Sequence, residues 1–207
     1  YISGNEISNV VHQNESYGIR VFQVRLEMID IAGQTKIFPD ADENIITINN
    51  LIWGINGTNE ATDKYGIRYY TKRGASFDQP FHNRYFTMND RIVNNTVVVS
   101  NDDFVNTGVV AGIAIQHARN TFMYNNAIGV LDSSLGNNQF AAAVIYQGML
   151  PNEAGSSFNR NAFWVGKPGE TPIYRFIQIT DSSTILEYGH KNNFLQLSQW
   201  YYWTGQD

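Results

Sequence analysis

The chain has 207 residues, 43% hydrophobic and 14% aromatic, enough to bury one core, and its length suits a single domain, residues 1–207. Only 16% of residues are charged and the net charge is -5, which removes the basic field that nucleic acid or an anionic membrane requires. There is no cysteine, so disulfides, thiol catalysis and thiolate metal sites are excluded, and no run approaches the roughly 20 apolar residues of a membrane span.

In chain order, residues 1 to 23 read as two short apolar runs around a polar turn at His12 to Ser16. Residues 24 to 43 read as an insertion, a small hairpin whose first arm alternates over Val24 to Ile31. A second unit runs from Asn44 to about Gly74, and an irregular aromatic and polar link follows from Ala75 to Tyr85. Loops of that kind on a rigid scaffold commonly carry function. A third unit spans about Phe86 to Ala118, a fourth Asn120 to Gly148, and Pro151 to Ser157 lead to the last, whose pattern blurs after Thr180. Ser198 before Gln199-Trp200-Tyr201-Tyr202-Trp203, with Gly205 beyond, predicts one short N-capped helix. The chain opens in strand pattern at Tyr1-Ile2 and stops at Gln206-Asp207, so it reads as a piece of a longer precursor, without a signal peptide of its own.

The units are related. Ile48-Asn49-Asn50-Leu51-Ile52 recurs as Val93-Asn94-Asn95-Thr96-Val97 and Tyr124-Asn125-Asn126-Ala127-Ile128, and its second half as Asn5-Glu6-Ile7 and Asn161-Ala162-Phe163. The shared Asn5, Asn50, Asn95, Asn126 and Asn161 lie 45, 45, 31 and 35 residues apart by subtraction. After each comes a second apolar run, three times opened by glycine: Gly18-Ile19, Gly66-Ile67 and Gly112-Ile113. Short strands that cannot bury a face alone must stack on their neighbours, which is the logic of a solenoid. One asparagine per coil suits the bend, where it tolerates left-handed angles and bonds to the equivalent amide one coil away.

Asn50-Leu51-Ile52-Trp53-Gly54 and Gly112-Ile113-Ala114-Ile115-Gln116, together with the tail Gln199-Trp200 and Thr204-Gly205-Gln206-Asp207, resemble coils of the secreted pectate-lyase-like superfamily. The resemblance implies an all-β fold, a right-handed single-stranded parallel β-helix with loop insertions, and an extracellular or cell-surface location. It identifies a scaffold, and a scaffold does not fix a function.

Lyases of that superfamily neutralise a uronate carboxylate with a cation or Ca²⁺ and remove the adjacent proton with Lys, Arg or His. Lys72, Arg73, His82 and Arg84 are the residues here that could share such a wall. Asp102-Asp103 resemble the paired aspartates of polygalacturonases, but Gly189-His190-Lys191 supplies only half of a second signature and no Arg-x-Lys follows. They read as turn residues. The sequence calls for no cofactor; Ca²⁺ is the one ion that Asp102 and Asp103, or Asp40, Asp42 and Glu43, could take. His12, His82, His117 and His190 lack paired metal spacing.

Trp53, Tyr69, Tyr70, Phe81 and Tyr85, with Tyr146 and Tyr174, are the aromatics that could face outward and stack on sugar rings. The sequence therefore favours a non-catalytic module that binds a polysaccharide or a cell-surface partner. A lyase or glycoside hydrolase acting on an acidic polysaccharide is one alternative, and a phage or surface fibre segment another.

Overall fold

The computed structural model describes residues 1–23, 26–29, 35–37, 45–59, 61–71, 84–85, 87–101, 108–116, 118–132, 141–147, 155–166, 176–179, 191–194 and 197–204. These form a parallel β-helix in which each of five coils adds a strand to each of three sheets. The first sheet stacks Ile2–Ser3, Ile46–Ile48, Arg91–Val93, Phe122–Tyr124 and Ser157–Asn159, all parallel. The second stacks Glu6–Ile7 with Val10–His12, then Leu51–Gly57, Thr96–Asn101, Ala127–Asp132 and Ala162–Gly166. The third stacks Glu15–Gln23, Asp63–Thr71, Val110–Gln116, Ala141–Gln147 and Phe176–Ile179, and ends on an antiparallel strand, Lys191–Phe194.

Alternation along each strand sends one set of side chains inward, and the parallel register stacks like positions coil upon coil. Ile52, Val97, Ile128 and Phe163 make one such inward column. Ile19, Ile67, Ile113 and Val144 make another, and Val21, Tyr69, Ile115 and Tyr146 a third. Tyr69 and Tyr146 are therefore core residues, fully buried, and not sugar-stacking aromatics as the sequence suggested. A tyrosine is tolerated there because its polar end is satisfied: the Tyr69 hydroxyl lies 2.7 Å from Thr47 Oγ1. The Tyr146 ring meets Phe158 edge-on at 5.6 Å. Burial pushes the Tyr146 hydroxyl up to about 12, and Tyr69 shifts the same way.

The corner between the first and second sheets splits two roles that the sequence assigned to one asparagine. The left-handed angle belongs to the residue before, Gly4, Asn49, Asn94, Asn125 or Arg160, with φ from 54 to 67. The next residue is the ladder: Asn5, Asn50, Asn95 and Asn126 each donate N–H and Nδ2–H to Oδ1 of the following asparagine, ending on Asn161, at 2.9 to 3.1 Å. From Asn50 onward each Nδ2 also reaches a carbonyl of the coil before: Ile2, Thr47, Ile92 and Met123 in turn. The first asparagine thus bends the chain outward into solvent, and the second closes the corner internally.

The insertion after the first coil is a hairpin of Leu26–Ile29 and Thr35–Ile37, and Arg84–Tyr85 joins it as a third antiparallel strand. Thr87–Met88 and Ala118–Arg119 pair in parallel as a two-stranded sheet. Helix α1 covers Leu197–Thr204, so Ser198 lies inside its first turn rather than capping it. Tyr201 and Tyr202 on it are exposed.

Candidate functional site

Two outward faces of the solenoid carry repeated chemistry. On the third sheet, Glu15-Ser16-Tyr17-Gly18-Ile19-Arg20 and Asp63-Lys64-Tyr65-Gly66-Ile67-Arg68 stack residue upon residue, so carboxylate, tyrosine and arginine each stand beside their counterpart. Tyr17 and Tyr65 stack at 5.4 Å with 11° between planes. Arg68 lies over Tyr65 at 4.4 Å and Arg20 over Tyr17 at 5.0 Å. Arg68 Nη1 donates to Glu15 Oε1 at 3.1 Å and to the Tyr17 hydroxyl at 2.9 Å, and Tyr17 donates to Glu15 Oε2. Asp63 accepts from the Val109 N–H at 2.8 Å and from the Tyr65 hydroxyl at 3.3 Å.

The two carboxylates respond in opposite senses. Burial raises Glu15, but the Tyr17 hydrogen bond and the Arg68 charge outweigh it and hold the pKa below the ordinary value. Burial dominates at Asp63 and raises it, against the pull of the Val109 N–H. Tyr17 is pushed up to about 12 by burial and by its bond to Glu15, and burial takes Tyr65 well above its usual range. Burial lowers Arg68, yet the neighbouring Tyr65, Tyr17 and Glu15 leave it raised, firmly cationic.

Chemically this cluster is satisfied by itself. Both tyrosine rings are stacked on each other or on guanidinium groups, and both carboxylates already accept hydrogen bonds. In the next two coils the same positions become Ala111 and Ala114, then Ala142 and Ile145, all buried in a second apolar cluster with Tyr65 and Val109. Glu15→Gln is expected to cost about 1–2 kcal/mol at neutral pH, the value of a charge-assisted bond discounted for the 40% exposure of Glu15. A group with a lowered folded pKa stabilises above its unfolded pKa and loses that contribution as pH falls through the folded value. The gap between Glu15→Gln and wild type in urea midpoints should therefore close on acidification. Asp63, with a raised pKa, has the opposite sign: its contribution is present below its unfolded pKa and lost as pH rises through the folded one. A gap that stays constant across the acid range would contradict this account of Glu15.

The second sheet presents a different surface. Trp53 and Trp164 are half-buried; Val98, Gly129 and Trp164 stand in register on one outward row, and Trp53 with Gly54 opposes Val98 at a β-bulge where that row continues. Beside it runs an exposed row of Leu51, Thr96, Ala127 and Ala162. Beyond that, on the corner, stand the exposed Asn49, Asn94, Asn125 and Arg160. A Cβ on Gly129 would meet nothing nearer than 3.9 Å, so the row is open between Val98 and Trp164. With strands about 4.8 Å apart, the strands bearing the two tryptophans are about 14 Å apart. The result is an outward strip with indoles on the first and last of its four strands and, along one side, three amides and the Arg160 guanidinium.

Of the residues singled out in the sequence, Trp53 belongs to this face and Tyr69 lies in the core. Arg84 and Tyr85 lie on the strand that pairs with Glu27 and Leu26, and Tyr70 on the strand Asp63–Thr71; their side chains are outside the described set. Lys72, Arg73, Phe81, His82, Asp102 and Asp103 lie outside the described residues, as do Asp40, Asp42, Glu43, His117, Tyr174 and His190. Among the described residues no group of three His, Asp or Glu side chains could hold a metal ion. His12 is exposed and its Nδ1 accepts from the Asn14 N–H at 3.2 Å, as a turn residue does. Trp164 and the doubled acid-Tyr-Gly-Ile-Arg motif were not identified as site residues, although the motif is visible as a repeat. Comparison with protein families, curated proteins and solved structures finds no match to this chain.

Proposed function

We propose that this chain is a non-catalytic β-helix module, extracellular or at a cell surface, that binds a linear polysaccharide on the outer face of its second sheet. The observation that carries this reading is the row of Val98, Gly129 and Trp164, continued at its other end by Trp53 at the bulge opposite Val98. Pyranose rings present apolar C–H faces that stack on indole, and the open floor at Gly129 lets a ring approach closely. The corner asparagines offer both donors and acceptors to hydroxyls. Their backbone is fixed by the ladder behind them, so little ordering cost falls on binding. The likeness of the coil motifs to the pectate-lyase-like superfamily supports the same reading, since those scaffolds carry glycan chemistry.

The test is a panel of immobilised polysaccharides probed with wild type and with a Trp53→Ala/Trp164→Ala variant whose circular dichroism is unchanged. Stacking on two tryptophans is expected to contribute about 1–3 kcal/mol, so the variant should bind about 5- to 150-fold more weakly. Equal binding by the two proteins would overturn the assignment of this face.

A further inference from the structure

We infer that the glycan taken by the second-sheet face is neutral and lies along the solenoid axis, bridging Trp53 and Trp164; this deepens the binding reading above and rests on it. Charge decides the class. The three rows of this face begin beside Glu6, which pairs in register with Leu51, and end at Arg160. Between those two, every described residue of the three rows is uncharged. A uronate or sulfated polymer brings an anion to each repeat. Among the described residues of these rows it would meet a cation at Arg160 alone and a repelling carboxylate at Glu6, while burying its charges against indole and alanine. Hydroxyl groups, in contrast, find an amide partner at Asn49, Asn94 and Asn125 in turn.

Geometry decides the direction. The rows cross the strands, and each step of about 4.8 Å along the axis repeats the same order of polar corner residue, an amide in three coils and Arg160 in the last, then exposed small or aliphatic side chain, then wide or open floor. A polymer laid along the axis meets this pattern once per coil. One laid along a strand would leave it within a few residues and could touch one tryptophan only. Binding should therefore strengthen with chain length until an oligosaccharide reaches both indoles, and then level off.

The experiment is calorimetric titration of the folded chain with neutral β-linked oligosaccharides, from disaccharide to hexasaccharide, and with a matched oligouronate series, each at low and high salt. The expected result is binding by a neutral series, steeper with length up to the bridging size and changing less than about 2-fold with salt, because no screened ion pair contributes. Trp53→Ala and Trp164→Ala should each remove about 2- to 12-fold, and only from oligomers long enough to bridge. Tighter, salt-sensitive binding of uronates that still needs both tryptophans would overturn the neutral class and leave the binding face standing. Length dependence unaffected by either variant would overturn the axial bridge. Binding by neither series would overturn this inference and the proposed function together.

Discussion

Asn95→Leu is expected to lower the stability of the fold by about 2–5 kcal/mol, a large part of the 5–15 kcal/mol typical of a domain. Leucine keeps the branched outline of asparagine with bulkier methyl groups in place of the amide, so the change removes the amide's hydrogen bonds without leaving a void. Asn95 is 1% exposed, and its Oδ1 is the acceptor for both the N–H and the Nδ2 of Asn50. Its own Nδ2 donates to the Thr47 carbonyl and to Asn126 Oδ1. Leucine leaves the Asn50 N–H and the Thr47 carbonyl without these partners, at about 1–3 kcal/mol each. Asn95→Asp should be no better: it retains the acceptor but sets a buried carboxylate against Asn126 Oδ1. The neighbour is the control. Asn94 is exposed with a φ of 54, so Asn94→Gly should be close to neutral and Asn94→Val should cost about 1–3 kcal/mol in backbone strain alone. Urea midpoints of the four variants check the order; an Asn94→Gly loss as large as that of Asn95→Leu would contradict the division of roles.

Gly66→Ala is expected to cost about 3 kcal/mol or more. Gly18, Gly66 and Gly112 form one column of the third sheet, between the aligned Tyr17, Tyr65 and Ala111 and the aligned Ile19, Ile67 and Ile113. A Cβ at Gly66 would run into Val97 Cγ1 across the core and approach the Gly112 carbonyl to 2.6 Å. Valine can shift its methyl groups, but the carbonyl is held by the next coil. Relief therefore requires coils to separate, which loosens packing on both sides. The same change at Gly112 should be milder, since there the nearest carbonyl, of Ala143, is at 2.9 Å and the column already ends in an alanine. A Gly66→Ala protein as stable as wild type would mean that the coils are not stacked this closely.

Parts of this architecture were legible because the chain has to repeat itself to stack. A ladder asparagine must recur in every coil, so Asn5, Asn50, Asn95, Asn126 and Asn161 announce the coils despite spacings of 45, 31 and 35 residues. The division of labour at the corner was harder to see, since three copies carry Asn-Asn and the residue type does not separate bend from ladder. Gly4-Asn5 and Arg160-Asn161 were the clue, because only the second position is constant. Tyr69 was misplaced because its place inside depends on the Thr47 hydroxyl, 22 residues earlier and on another sheet. Trp164 was missed for a related reason. It is related to Trp53 only through Gly129, Val98 and the bulge at Trp53-Gly54, and loops of unequal length hide that relation until the coils are stacked. The acid-tyrosine-arginine cluster repeats visibly, yet only the paired strands show that its charges and rings satisfy one another.

The chain has four tryptophans, two on the second-sheet face and two, Trp200 and Trp203, in helix α1. Indole N–H signals followed by nuclear magnetic resonance during titration with a neutral polysaccharide test the proposed face most directly. The signals of Trp53 and Trp164, assigned by substitution, should shift together while those of Trp200 and Trp203 stay in place. Binding that moves only the helix tryptophans, or leaves Trp53 and Trp164 unmoved, would contradict the claim that this face holds the glycan.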